Sequence, residues 1–231
     1  TINSKKSTYI RDGFKPIIPE NTKIIDLKLD NEILTINFSK EFLTVNETNE
    51  ELMLEALIYS LTELKEIKKI KILVENIPFT KLPNSNKKLP EYLDKTYGIN
   101  KIYNLNSLKE TSKTTIYYLS KINDYYYYVP VTKVSNEKLE RVEIIIKELK
   151  STPIYHTNLI SYLKASANMT NYELLENAIS LSFNNYLIAN MKEEQILEEV
   201  KYSIALSLRD TYGINEVIFN IPNSENSKIS I

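Results

Sequence analysis

The sequence predicts an α+β chain of two related halves, each a small sheet packed by helices on one face. Three observations predict it. Apolar residues alternate at strand period in short runs with polar turns between them. Longer runs with apolar residues at helical spacing separate these strands. Segments of the first half also recur in the second at a near-constant offset.

The elements follow in order. Ile25, Leu27 and Leu29 alternate, as do Leu34, Ile36 and Phe38, and the polar pair Asp30-Asn31 lies between them. That pattern predicts a β-hairpin. Thr48 and Glu51 have the spacing of a capping box, in which two side chains satisfy the first free amides of a helix. Leu54, Leu57, Ile58 and Leu61 then follow on one helical face. Ile70, Ile72 and Val74 alternate as a closing strand. The lysines of 65–71 are expected on its solvated face, with contact to an anionic partner as the alternative. Residues 78–88, with their Pro-Asn-Ser-Asn run, read as an exposed loop. Residues 90–95 read as a short helix and 102–105 as a short strand.

The second half opens with two strands, 115–119 and 125–131, joined at Asn123-Asp124. A helix is expected over 136–150, with Leu139, Val142, Ile146 and Leu149 on one face. Ile179, Leu181 and Phe183 then form a strand. Asn190 and Glu193 are placed to cap a helix striped by Leu197, Val200, Ile204 and Leu208. Val217, Phe219 and Ile221 close the unit. The repeat links the halves. The run LDNEILTINF ending at Phe38 matches LENAISLSF ending at Phe183, an offset of 145 residues. Tyr59-Ser60 matches Tyr202-Ser203 at 143, and Ile70 matches Val217 at 147. Such consistency of order is the mark of a duplication with small insertions. The full unit is thus ββα followed by ββαβ. The first half lacks a counterpart of 112–150, so its domain is expected to be truncated upstream. The expected domains are 1–107, including a linker, and 112–231.

The pentapeptide TYGIN occurs twice, at Thr96–Asn100 and Thr211–Asn215. The copies lie 115 residues apart, an offset that no other match shares. Gly213 follows a helix, where glycine takes a left-handed turn at little cost. The same turn chemistry is expected at Gly98. The pentapeptide is read as punctuation, not as a site.

Composition removes many functions. The glycines stand at 13, 98 and 213, so no Rossmann, P-loop or nucleophile-elbow motif exists. His156 is the sole histidine and there is no cysteine, which excludes multi-histidine zinc sites, thiolate ligands and disulfides. A net charge of −1, with lysines and glutamates interspersed, argues against a nucleic-acid partner. No apolar run reaches the ~18 residues that span a bilayer. The chain starts at Thr1, and the expectation is a processed or trimmed piece with any signal or lipid anchor upstream of it.

No catalytic, cofactor-binding or metal-binding residues are assigned, and no cofactor is expected. His156 sits in a loop-like stretch without a paired nucleophile and is read as a surface or packing residue. Carboxylates are plentiful, but no pair stands out. The conspicuous run is Tyr125, Tyr126, Tyr127 and Tyr128. On a strand, Tyr125 and Tyr127 face one way and Tyr126 and Tyr128 the other. This reads as one buried and one amphipathic face. The alternative is an aromatic patch for a protein partner or a glycan.

Residues 15–24 (KPIIPENTKI) and 34–43 (LTINFSKEFL) resemble the GerM family of sporulation and germination proteins. The pattern is a proline-x-x-threonine-lysine entry, a hairpin ending in an asparagine-phenylalanine-serine motif, and a helix ending like YSLTEL at 59–64. IKKIKI at 67–72 follows, and VENI from Val74 departs from the usual terminal glycine. The second copy is weaker, with FNNY from Phe183 in place of the serine motif. The resemblance covers 15–78 well and 112–223 loosely, and tandem copies are typical of the family. It implies an extracytoplasmic, membrane-anchored protein, often a lipoprotein, of spore-forming bacteria. Its domains would be similar to ring-building modules, with a structural and non-enzymatic role in the channel between mother cell and forespore. The expected partners are proteins of the sporulation envelope, including further copies in a ring, with membrane contact only through an upstream anchor. The alternative is a regulatory or cell-wall glycan-binding lipoprotein module.

Overall fold

The computed structural model describes residues 14–151, 158–188 and 195–231. The chain divides into two compact units, residues 1–100 and 101–231. Three four-stranded sheets are present among the described residues, one in the first unit and two in the second. The expected pair of sheets is corrected to three, because the 112–135 hairpin forms a sheet of its own.

In the first unit, β1 (Ile24–Asp30) and β2 (Ile33–Phe38) form the expected hairpin. The turn residues are Asn31 and Glu32, at φ 48° and 62°. Two consecutive left-handed residues give the twist that flanking strands require. Helix α1 (Glu47–Leu61) crosses over to β3 (Lys69–Val74), which pairs parallel with β2. β4 (Ile77–Pro78) returns antiparallel through Glu75 and Asn76, again both at positive φ. Leu34, Ile36 and Phe38 pack with Met53, Leu54 and Ile58 of α1. Phe42 stacks on Phe38 at 4.4 Å and meets Phe79 edge-on at 5.4 Å.

Three expectations are corrected in this unit. The cap of α1 is Asn46, whose side-chain oxygen accepts from the Asn49 amide at 2.9 Å. Asn46 still has extended backbone, whereas Thr48 already lies in the first turn, where its side chain cannot reach forward as a cap. Glu51 pairs instead with Lys87 at 2.6 Å. Second, 78–88 is not simply an exposed loop. Most of its residues are exposed, but Phe79 and Leu82 are buried and anchor it to the core. Third, 90–95 is not helical. Leu93 exchanges both backbone hydrogen bonds with Ile70, and the helical turn comes later, at Lys95–Tyr97. The lysines of 65–71 behave as expected: Lys69 is exposed and Lys71 pairs with Glu91.

β1 is exposed along its whole length. Leu27 and Leu29 share the core-facing side with Ile36 and Leu34, yet are 52% and 48% exposed. An edge strand has a neighbour on one side only, so its core face is covered only where another layer reaches it.

In the second unit, β6 (Ser112–Ile122) and β7 (Tyr125–Ser135) form a long hairpin. β5 (Ile102–Asn104) pairs with the end of β7 and β8 (Leu159–Ile160) with β6. β5 therefore belongs with the second unit, although the expected first domain ran to 107. Helix α2 (Arg141–Leu149) starts later than expected. The Asn136 side chain accepts from the Asn106 amide and donates to the Lys109 carbonyl, which holds that stretch as a loop. Leu139, expected in the core, is exposed.

β9 (Met169–Leu174), β10 (Ala178–Phe183), α3 (Glu198–Tyr212), β11 (Glu216–Asn220) and β12 (Ser227–Ser230) complete the unit. The sheet β12-β11-β10-β9 repeats the strand order and senses of β4-β3-β2-β1. The parallel pair Leu34–Ile70 has its counterpart in Ile179–Val217, where the sequence offsets place it. Leu197 precedes α3 and is exposed, so the buried stripe begins at Val200. The expected cap at Asn190 and Glu193 lies outside the described residues. One core joins Ile116 and Tyr118 of β6, Val142 and Ile146 of α2, Ile204 and Leu208 of α3, and Phe219 of β11. Met169 and Tyr172 of β9 pack against that core, unlike their counterparts on β1. Gly213 ends α3 in the left-handed region, at φ 70° and ψ 23°. Gly98 ends its helical turn at φ 87° and ψ 164°, a region open to glycine alone.

Candidate interaction face

The tyrosine run opens β7. Its burial does not alternate: Tyr125 and Tyr126 are exposed, and Tyr127 and Tyr128 are half-buried. Burial deepens along the strand because the hairpin tip at Asn123 and Asp124 reaches past the packed core. The reading of one buried and one amphipathic face is corrected accordingly.

On the face of Tyr126 and Tyr128, other segments converge. Lys121 stands directly across from Tyr126 in the ladder, with Nζ 5.7 Å from the ring centroid. The Tyr126 and Tyr162 hydroxyls lie 3.4 Å apart. The Tyr128 ring meets Tyr202 of α3 at 5.8 Å, tilted by 46°. Tyr126 and Tyr202 keep 43% and 36% of their surface exposed. Burial, then the charge of Glu199, pushes the Tyr128 phenol up to about 12. Tyr162 is also raised, first by its hydrogen bond with Tyr126. Sequence reasoning singled out the four consecutive tyrosines but missed Lys121, Tyr162, Glu199 and Tyr202. The i, i+3 spacing of Glu199 and Tyr202 puts them on one side of α3, but nothing local says that this side meets β7.

The other displaced groups have structural causes. Burial raises the Glu50 carboxyl, but hydrogen bonds from Ser85 and Asn84 outweigh it and hold the group below the ordinary range. Its oxygens accept from the Asn84 and Ser85 amides at 2.8 and 2.9 Å, which ties the 79–89 segment to α1. Lys133 on β7 is only 4% exposed and pairs with Glu137 and with Glu148, the latter at 2.7 Å. Hydrogen bonds from Lys133 and Lys147 hold Glu137 low. A carboxylate held low is a poor general acid, which needs a raised value. Among the described residues, no His, Asp or Glu side chains gather in a group that would hold a metal ion. No described helix is long and apolar enough to cross a membrane. His156 lies outside the described residues.

Residues 2–80 match the Germane family, described as sporulation and spore germination. The chain is 26% identical over 217 residues to the spore germination protein GerM of Bacillus subtilis (strain 168), covering 91% of this chain and 59% of that protein. It therefore spans under two thirds of the curated relative. The solved structure of the tandem GerMN domains of the sporulation protein GerM from Bacillus subtilis superposes with a TM-score of 0.84 at 23% identity, covering 93% of this chain and 76% of that one. The repeated β-β-α-β-β order and the similarity across both halves lead to one conclusion: the chain has the fold of tandem GerMN domains, and its first half matches the Germane family.

Proposed function

We propose that this chain is a non-enzymatic, extracytoplasmic assembly protein of sporulation, working in or beside a ring or channel between mother cell and forespore. The observation that carries the reading is the likeness to GerM along nearly the whole chain, in sequence and in the tandem fold together. Two physical features support assembly rather than turnover. Among the described residues the two repeated sheets end in edges without a further strand, β1 and β4 in the first unit and β9 and β12 in the second, and an unpaired edge is a template for association. A head-to-tail contact between copies, repeated by a fixed rotation, closes a ring. The displaced carboxylates Glu50 and Glu137 are engaged in holding loops and helices in place. Membrane attachment through an anchor upstream of this chain fits the same reading.

The test is the location of the full-length protein in sporulating cells, carrying a tag that fluoresces outside the cytoplasm. Enrichment around the engulfing forespore is expected. A uniform signal in the vegetative envelope, unchanged by sporulation, would overturn the proposal.

A further inference from the structure

We propose that the tyrosine face of the second unit binds a cationic side chain, arginine or lysine, on a basic segment of a partner protein. The face is built by Tyr126 and Tyr128 of β7, Tyr162 after β8, and Glu199 and Tyr202 of α3. Aromatic rings present negative π faces, which attract a guanidinium or ammonium group within about 6 Å of the centroid. The face already holds such a group from its own chain, since Lys121 Nζ lies 5.7 Å from the Tyr126 ring. That lysine is solvent-exposed, and a planar guanidinium stacks on tyrosine better than an ammonium does. Charge points the same way. Glu198 is occupied by Lys201. Glu199 is half-buried beside the rings and makes no ion pair among the described residues. Its charge acts on both Tyr128 and Tyr162. Rings flanked by an unpaired carboxylate favour a cation over an anion or a neutral sugar. Tyrosine is also a favoured contact residue at protein interfaces, because its large rigid ring loses little entropy on binding.

The inference stands on the geometry of this face and does not depend on the sporulation reading. Its test is therefore a titration of the 231-residue chain in solution, with tyrosine ring and backbone signals followed by NMR. Three probes are used: a capped pentapeptide with two arginines, the same peptide with citrulline at those positions, and a tetramer of N-acetylglucosamine. The arginine peptide is expected to give saturable shifts at Tyr126, Tyr128, Tyr162 and Tyr202. Citrulline and Tyr202→Ala should each weaken binding by about fivefold, the size of one exposed cation–π contact, and Glu199→Gln by up to about fivefold, the size of one exposed ion pair. Glu199→Gln changes charge with little change of shape, so it keeps the test valid if Tyr202→Ala disturbs α3. Equal binding of the citrulline peptide, shifts unaffected by both variants, or no saturable shift at all would overturn the proposal. Shifts of these rings by the tetramer alone would overturn it in favour of a wall glycan.

Discussion

The Tyr117 backbone N–H donates to the Ser207 hydroxyl at 2.9 Å, joining the middle of β6 to α3 across 90 residues of chain. β8 pairs with β6 only at Leu119 and Ser120, so at Tyr117 the side away from β7 meets the helix. Ser207 in turn donates to the Ser203 carbonyl at 2.6 Å. A small hydroxyl on α3 thus satisfies an edge amide that a strand would otherwise take, and the helix covers that edge.

Ser207→Ala removes the acceptor from a buried amide. The expected loss is about 1–3 kcal/mol, the cost of leaving such a group without its partner. Ser203 is the control, because its hydroxyl is buried with no hydrogen-bond partner among the described residues. Ser203→Ala should be neutral or stabilising. Urea unfolding of both variants checks this, and equal destabilisation would refute the role given to Ser207.

Glu50→Gln should cost about 2 kcal/mol, since hydrogen bonds to a charged group are worth about 1.5–3 kcal/mol. The pH dependence has a definite sign. The folded carboxyl lies below its ordinary value of 4.5, so its contribution is complete above that value and is lost as pH falls through the folded one. The gap between wild type and variant should narrow on acidification. A gap that stays constant from neutral pH into the acid limb would contradict the prediction.

Lys133→Met leaves Glu148 without its cation in a part-buried setting. The expected cost is about 3 kcal/mol, the low end for breaking a buried pair, because both carboxylates retain some exposure. Adding Glu148→Leu should restore more than half of the loss, since Glu137 keeps Lys147 at 2.9 Å. Thermal unfolding of the single and double variants would show whether the charges act as a pair.

Gly213→Ala isolates backbone strain, because an added Cβ would meet nothing within 4 Å. The left-handed conformation should cost about 1 kcal/mol, and Gly213→Asn should cost less, as asparagine tolerates that region. A neutral Gly213→Ala would mean that the α3 terminus relaxes to another cap.

Much of the fold was legible in the sequence because it follows from local periods. Leu34, Ile36 and Phe38 alternate, and they do face a core. The recurrence of these residues at Ile179, Leu181 and Phe183 announced the duplication, and the pairings Leu34–Ile70 and Ile179–Val217 match it. Periodicity fails where coverage decides. Leu27 and Leu29 alternate as well as Leu34 does, yet remain exposed on an edge. Phe79 and Leu82 lie in a stretch rich in polar and turn residues and are nevertheless buried over α1, because Glu50 anchors that segment through its amides. The cap at Asn46 was misplaced by two residues because Thr48 and Glu51 also satisfy a pattern, and only backbone geometry separates the two.

The candidate face divides in the same way. The run from Tyr125 to Tyr128 was visible at once, but its meaning depended on Lys121, Tyr162, Glu199 and Tyr202. By itself the sequence determined the strand and helix faces, the repeat, the family resemblance and the absence of familiar catalytic motifs, all of which depend on neighbours a few residues apart or on a matching second copy. The tertiary structure alone decided that the 112–135 hairpin makes a third sheet, that α3 closes the β6 edge through Ser207, and that four tyrosines from three segments meet beside a carboxylate. These contacts join residues tens of positions apart, and their register is set by the packing of whole elements, which no local period encodes.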